Sequence, residues 1–342
     1  MRVLIVVPAQ DRATGNWVTA SRLQQGLTGR GHTVTVTGTD GDSDQLLKSV
    51  ATVQPDLVLL LHAWRSGRPW LDTGSPLPFA LLLTGTDVNI GLHDKVQAPV
   101  IATVLERSAA ILSQNQLTVA TLSSDHPELA GKVHHLPAGI SLGSETFPLR
   151  QKLGATPQEC VLLCPAGIRP VKGVVELIEL VEPLILAGAP LRLAFCGPIL
   201  DAAYGERLFK AITGRPWATY LAIIPPAAMP EAMRQADIIV SNSFSEGVPN
   251  ALVEAASLGR PVVARDIPGN RAVIHDDRNG LLYSDAAGFH AAVQRLLDEP
   301  GLRTILSRPE PERFSAEHEA AMLENIFHDI LSRRAATSTL RL

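Results

Sequence analysis

Short apolar runs alternate with amphipathic or polar stretches along this chain, beginning with Val3-Leu4-Ile5-Val6-Val7, which Pro8 stops. Residues 16–29 then carry Leu23 and Leu27 on one helical face until Gly29 and Gly31 end the pattern. Val34 to Thr37 predicts a second strand, and Asp56 to Leu61, Phe79 to Leu83 and Ala109 to Leu112 supply further strand-length runs between helix or turn signals. Apolar runs this short, with little polar alternation, fit strands covered on both faces, as in a parallel sheet. After Leu136 the composition shifts to Pro137, Gly139, Gly143 and Pro148, which reads as a linker. The alternation then restarts. Strands are expected at 160–164, 191–196, 219–223, 237–241 and 261–264, with helices between them, notably 174–187 and 251–258. A last amphipathic pattern over 316–332, striped by Met322, Ile326, Ile330 and Leu331, predicts a long helix, with 335–342 as a frayed tail. The pattern therefore predicts an α/β protein of two doubly wound parallel-sheet domains, 1–148 and 149–314, followed by a helix over 315–334.

Composition narrows the class. At 342 residues the chain exceeds what one hydrophobic core usually serves. Hydrophobic residues make up 46% and charged residues 19%, the balance of strands buried on both faces and not of a disordered chain. A net charge of −4 argues against nonspecific nucleic-acid binding, which needs a basic excess. Cys160, Cys164 and Cys196 lie in or beside apolar strands without zinc-ligand spacing, so they read as reduced core residues. No run has the length of a membrane span, and the first strand lacks a signal-peptide cleavage pattern, so a cytoplasmic location is expected.

Two segments carry candidate chemistry. In Ser245-Glu246-Gly247-Val248-Pro249-Asn250-Ala251-Leu252-Val253-Glu254, two carboxylates flank a turn that opens a helix. Unpaired N–H groups over Val248 to Leu252 can face an anion such as a diphosphate. The carboxylates suit hydroxyl pairs, because an ionised carboxylate accepts from two O–H donors at once. A phosphate cradle with a hydroxyl-binding carboxylate at either end matches a nucleoside diphosphate sugar. A plainer reading stands beside it: Glu254 complements the helix dipole and Glu246 is a solvated loop residue. In the second segment, the apolar run 160–164 leads into Gly167-Ile168-Arg169-Pro170-Val171-Lys172-Gly173. Two cations at the carboxyl end of a parallel strand, beside Gly167, are well placed to neutralise a leaving diphosphate, though an exposed basic loop has the same spacing.

Gly167-x-Arg169-x-x-Lys172-Gly173 followed by Glu246-x7-Glu254 resembles the nucleotide-binding half of the retaining family 4 glycosyltransferases, which have the GT-B fold. The chain is more closely similar to the glycosyltransferase 1 domain-containing protein 1 group, through Gly15-Asn16-Trp17-Val18-Thr19-Ala20, Gly85-Thr86-Asp87-Val88-Asn89 and Arg265-Asp266-Ile267-Pro268-Gly269-Asn270 as well. A weaker likeness, in Leu61-His62-Ala63-Trp64-Arg65-Ser66, Leu83-Thr84-Gly85-Thr86-Asp87 and Ile267-Pro268-Gly269-Asn270, is to the selenosugar synthases. The resemblance implies two Rossmann-like domains facing a cleft, a C-terminal helix crossing back to the first domain, and transfer of a hexose from a nucleoside diphosphate sugar with retention of configuration. It implies that Arg169 and Lys172 stabilise the diphosphate, Glu246 orients the sugar's hydroxyls and Glu254 holds the ribose diol. By similarity the base meets residues around Leu221 to Pro225, and Gly15 with Asn16 lies near the donor phosphate.

On the acceptor side, His62, Arg65, Thr84 and Asp87 stand at the carboxyl ends of predicted strands. Asp87 can accept a proton or hydrogen bond from an acceptor hydroxyl, or simply form an N-cap or Asx-turn. Many retaining GT-B enzymes place a histidine just before the glycine of this second loop, where this chain has Thr84. No metal or other cofactor is expected, since basic side chains replace a divalent ion and Asp40-Gly41-Asp42 reads as a solvated turn. The expected partners are a sugar-nucleotide donor and a small-molecule or glycan acceptor. Two alternatives stay open: selenosugar or thiosugar synthesis with a small anionic acceptor held by Arg12, Arg65 or Arg68, and a noncatalytic sugar-nucleotide-binding protein. A Rossmann dehydrogenase is disfavoured, because Pro8-Ala9-Gln10-Asp11 follows the first strand where a Gly-x-Gly-x-x-Gly turn would be needed.

Overall fold

A computed structural model describes residues 1–9 and 14–339, with side chains through 336. Along the chain the elements are β1 (Arg2–Pro8), α1 (Gly15–Gly29), β2 (Thr33–Thr39), α2 (Ser43–Val53), β3 (Leu57–Leu61), α3 (Gly67–Asp72), β4 (Phe79–Leu83), α4 (Thr86–Asn89), α5 (Gln97–Arg107), β5 (Ala110–Ser113), α6 (Gln116–Asp125) and β6 (Val133–His135). They continue as α7 (Leu149–Leu153), β7 (Cys160–Pro165), α8 (Val174–Leu186), β8 (Leu191–Cys196), α9 (Ala202–Ile212), β9 (Ala218–Tyr220), α10 (Met229–Gln235), β10 (Ile238–Ser241), α11 (Asn250–Ser257), β11 (Val262–Arg265), α12 (Pro268–Arg271), β12 (Leu281–Tyr283), α13 (Ala286–Asp298), α14 (Pro300–Leu306) and α15 (Ala316–Thr339).

Two compact units result: residues 1–139 with 315–342, and residues 140–314. The first holds a six-stranded sheet in the order β2-β1-β3-β4-β5-β6 and the second one in the order β12-β11-β10-β7-β8-β9. Every pairing is parallel. The continuous apolar runs explain this, because a parallel sheet is roofed by crossover helices on both faces. Val3 to Val7 and Leu57 to Leu61 are fully buried in the first unit, as are Val161 to Leu163 in the second.

The division falls after Gly139, nine residues before the expected boundary at 148. Glu145 N–H donates to Ala227 O (2.9 Å) and Ile140 N–H to Phe314 O (2.9 Å), so this Gly/Pro-rich stretch belongs to the second unit. The expected strand over 219–223 ends at Tyr220, because Ala222 turns the backbone to φ +58°. The last helix runs on to Thr339 instead of stopping near 332, since Arg333, Arg334, Ala335 and Ala336 are good helix formers without an apolar stripe.

Within the first unit, α15 packs on α1 through a buried ion pair. Arg22 Nε donates to Glu319 Oε2 at 2.7 Å and Nη2 to Oε1 at 3.1 Å, and Gln114 Nε2 also donates to Oε1 at 2.5 Å. The side chains are 3% and 1% exposed. Leu323, Phe327 and Ile330 bury the rest of that face against the sheet-side core.

Candidate active site

In the second unit, the carboxyl ends of β7, β10 and β11 lie side by side, because β10 pairs with β7 on one edge and β11 on the other. The loops that follow these strands therefore meet. Lys172 Nζ, on the loop after β7, donates to Glu246 Oε1 on the loop after β10, with side chains only 16% and 12% exposed. Two residues 74 apart in sequence, singled out separately, thus form one ion pair. Arg169 stands three residues before Lys172 on the same loop. Its Nε is buried with no hydrogen-bond partner.

Asn242 is the fixing point of these loops, and sequence reasoning missed it. It is fully buried, donates from Nδ2 to Gly173 O at 2.7 Å, and accepts at Oδ1 from Arg265 Nη2 (2.8 Å) and Tyr283 OH (2.6 Å). Gly173 takes φ +59°, and a Cβ there would fall 2.5 Å from Asn242 O, so this turn between Lys172 and α8 requires glycine. Gly269 abuts the other side of the site, where a Cβ would sit 2.5 Å from the Cβ of Glu246. The only sequence signals for this arrangement were a polar residue straight after an apolar strand and a Gly-Asn pair at 269–270.

Glu254 lies five residues into α11, whose first turn contains no acidic residue. A helix dipole acts mainly on the first turn, so the plainer reading of Glu254 as a dipole partner loses its basis. Protein atoms packed around it push its carboxyl up to about 8. The folded state then keeps a proton that the unfolded chain releases above about 4.5, so this group subtracts stability progressively as pH rises from 4.5 to 8. Glu254→Gln should be more resistant to urea than wild type at pH 8 and no different at pH 4.5. Equal midpoints at pH 8 would disprove the proton-holding carboxyl.

The turn into α11 corrects one expectation. Leu252 N–H donates to Pro249 O at 3.0 Å, so it is not among the groups open to an anion. Gly247, Val248, Asn250 and Ala251 are all partly accessible around Pro249, the N-cap. Gly167 follows β7, where a Cβ would meet Leu200 at 2.6 Å. Cys164 lies below the Lys172–Glu246 pair, and burial pushes its thiol up to about 12.

In the first unit, the loops after β3 and β4 are locked together. Asp87 is fully buried, and its carboxylate accepts from the N–H groups of Ala63 (2.9 Å), Thr84 (3.1 Å), Gly85 (2.9 Å) and Val88 (3.2 Å). That supports the Asx-turn reading and corrects the expectation that Asp87 meets an acceptor hydroxyl: its oxygens are turned inward onto backbone. His62, with φ +82° and 4% exposure, accepts at Nδ1 from the N–H groups of Trp64 and Arg65, both at 3.2 Å. Two donors at Nδ1 leave the proton on Nε2, which donates to Thr86 Oγ1 at 3.2 Å. A non-glycine residue held in the left-handed region by surrounding bonds is a feature of functional loops. Thr84 and Arg65 are partly exposed on the same two loops. Gly15 opens α1 and is exposed, with Asn16 beside it. Arg68 is taken up by Asp72 at 4.0 Å and the Trp64 ring at 5.4 Å, while Gln10, Asp11 and Arg12 lie outside the described residues.

Among the described residues, one group brings metal-ligating atoms together: His32, Glu324 and His328, within 4.8 Å. Both oxygens of Glu324 are already engaged there, one by Arg30 at 2.6 Å and one by His32 at 2.8 Å. No described helix is long and apolar enough to cross a membrane.

Residues 159–299 match the family "Glycosyl transferases group 1". Glycosyltransferase 1 domain-containing protein 1 of Xenopus tropicalis is 28% identical over 301 residues, covering 85% of this chain and 86% of the relative. Among solved structures, sucrose-phosphate synthase from Thermosynechococcus elongatus has a TM-score of 0.79 at 17% identity, covering 97% of this chain and 100% of that one. Anabaena Alr3699/HepE, solved in complex with UDP and glucose, has a TM-score of 0.75 at 16% identity, covering 96% and 99%. The fold is that of the GT-B glycosyltransferases. The family match falls within the second unit.

Proposed function

We propose that the chain is a retaining glycosyltransferase of family 4 that moves a hexose from a nucleoside diphosphate sugar to a small-molecule or glycan acceptor without a metal. The observation that carries this reading is Arg169: a guanidinium whose Nε is buried without a partner, beside the Lys172–Glu246 pair at the carboxyl edge of a parallel sheet. A buried donor left unpaired costs free energy, and a ligand oxygen supplies the missing acceptor. Supporting it further, a solved protein of the same fold holds UDP and glucose.

In this mechanism the bond between the sugar's anomeric carbon and the diphosphate oxygen lengthens and negative charge gathers on the leaving diphosphate. Arg169 and Lys172 stabilise that charge more in the transition state than in the ground state. Glu246, held against Lys172, orients the hydroxyls of the transferred sugar, and Glu254, which keeps its proton at neutral pH in the free protein, meets the ribose diol with one donating and one accepting oxygen. Asp87 and His62 fix the two first-unit loops that bear Thr84 and Arg65, the side chains assigned to the acceptor.

The test is a thermal-shift panel of UDP-, GDP- and ADP-hexoses followed by mass spectrometry of products, all repeated in EDTA. At least one donor should raise the unfolding temperature by mass action and yield a hexose adduct of the acceptor, with undiminished rate in chelator. Stabilisation by none of the donors would reject the reading, and activity restored only by added manganese would reject the roles given to the cations.

A further inference from the structure

Arg265, at the carboxyl end of β11, opens a segment that carried only the resemblance and was given no role, yet its side chain is firmly held at the loop edge of the second unit. Its Nε and Nη2 both donate to Asn242 Oδ1, at 3.2 and 2.8 Å. The guanidinium carbon lies 4.7 Å from the Phe244 ring centroid and 5.6 Å from that of Tyr283. Asn270 Nδ2 donates to its main-chain carbonyl at 2.8 Å. Rotamer freedom is thus already spent, the condition under which a planar guanidinium binds an oxyanion at least cost.

What holds Arg265 is neutral. Among the described residues no carboxylate pairs with it, so its charge is undiminished. The same Asn242 amide donates to Gly173 O, so a single side chain separates the guanidinium from the turn that carries Lys172. Phe244, 47% exposed, covers one face of the guanidinium, while Arg265 itself stays partly accessible. Arg169 and Lys172 follow β7 and Arg265 ends β11, the two strands that flank β10, and among the described residues Glu246 is the carboxylate that pairs with one of the three, Lys172. Such an excess of positive charge is stabilised when an anion arrives.

We propose that Arg265 is a third phosphate-binding cation of the donor site, preorganised by Asn242 and the Phe244 and Tyr283 rings to bind the diphosphate of the sugar nucleotide. The assignment rests on the donor reading above and adds to it a residue outside the Arg169/Lys172 pair. Charge-assisted hydrogen bonds of this kind change affinity by about ten- to a hundredfold.

Calorimetric titration of wild type, Arg265→Lys and Arg265→Gln with UDP, GDP and ADP, and with the corresponding nucleosides, tests it. The glutamine variant should bind the preferred diphosphate at least about tenfold more weakly, the lysine variant should recover part of the loss, and nucleoside binding should not change. Equal diphosphate affinity in wild type and Arg265→Gln overturns the assignment while leaving the donor reading intact; failure of wild type to bind any diphosphate rejects the donor reading itself. Protection mapping of the unmutated protein makes the test independent of folding in the variants. Phenylglyoxal should modify Arg265 in free protein and not with UDP bound, while Arg207, whose side chain is 60% exposed, reacts in both. Unprotected Arg265 at saturating diphosphate also overturns it.

Discussion

Arg169→Ala is expected to lower kcat/KM by a hundredfold or more while leaving the fold as stable as wild type or slightly more stable. The activity loss follows from the role proposed for the guanidinium. A preorganised donor aimed at charge that develops in the transition state contributes about 2.7–4 kcal/mol. The stability outcome follows from geometry alone. Arg169 Nε is buried without a partner, so truncation removes an unsatisfied donor and breaks no hydrogen bond. Loss of turnover without loss of stability is the signature of a group kept for its ligand. Steady-state kinetics and urea unfolding of the same preparation separate the two effects. An Arg169→Ala protein that is less stable and fully active would mean that the arginine is structural and that the diphosphate is held elsewhere.

Much of the scaffold was legible because a parallel sheet writes itself as uninterrupted apolar runs. Cys160 to Cys164 and Leu191 to Cys196 lie in β7 and β8 as the pattern predicts. The misses have local causes. A left-handed Ala222 cuts β9 short, and a tie from Glu145 to Ala227 draws a Pro/Gly-rich stretch into the second unit although its composition reads as linker. Of the candidate site, the cations and carboxylates were visible from residue type and from the spacing Arg169-x-x-Lys172 and Glu246-x7-Glu254.

What holds those groups in place was not visible. Asn242 joins Gly173, Arg265 and Tyr283, positions separated by 69, 23 and 41 residues. Asp87 reaches back 24 residues to Ala63. A periodicity argument sees only neighbours a few positions apart, so an amide or carboxylate that binds distant loops looks like any polar residue after a strand. The helix bearing Glu254 was legible to within one residue, 251–258 against Asn250–Ser257, and the bonds from Leu252 and Val253 N–H to Pro249 O set its start.

Removing the carboxylate of Glu319 should destabilise the protein by about 3–5 kcal/mol, because the buried Arg22 guanidinium would lose both bonds of its bidentate pair. Its pairing is bidentate and nearly dry, and Gln114 would lose its acceptor as well. The expected result for Glu319→Ala is a large fall in the urea midpoint, with the chain still able to fold at low temperature. The physics also fixes the response to a second substitution. Bringing two charges out of water costs nearly as much as their attraction returns, so Arg22→Met with Glu319→Leu should recover most of the loss. If the double variant is as unstable as Glu319→Ala, the contribution comes from the bonds of this network and not from the cost of burying one half of a charge pair. Either way the effect belongs to folding. Glu319 lies in α15 on the α1 side of the first unit, so kcat per folded molecule should be unchanged in the double variant, in contrast to Arg169→Ala, where folding is kept and turnover is lost.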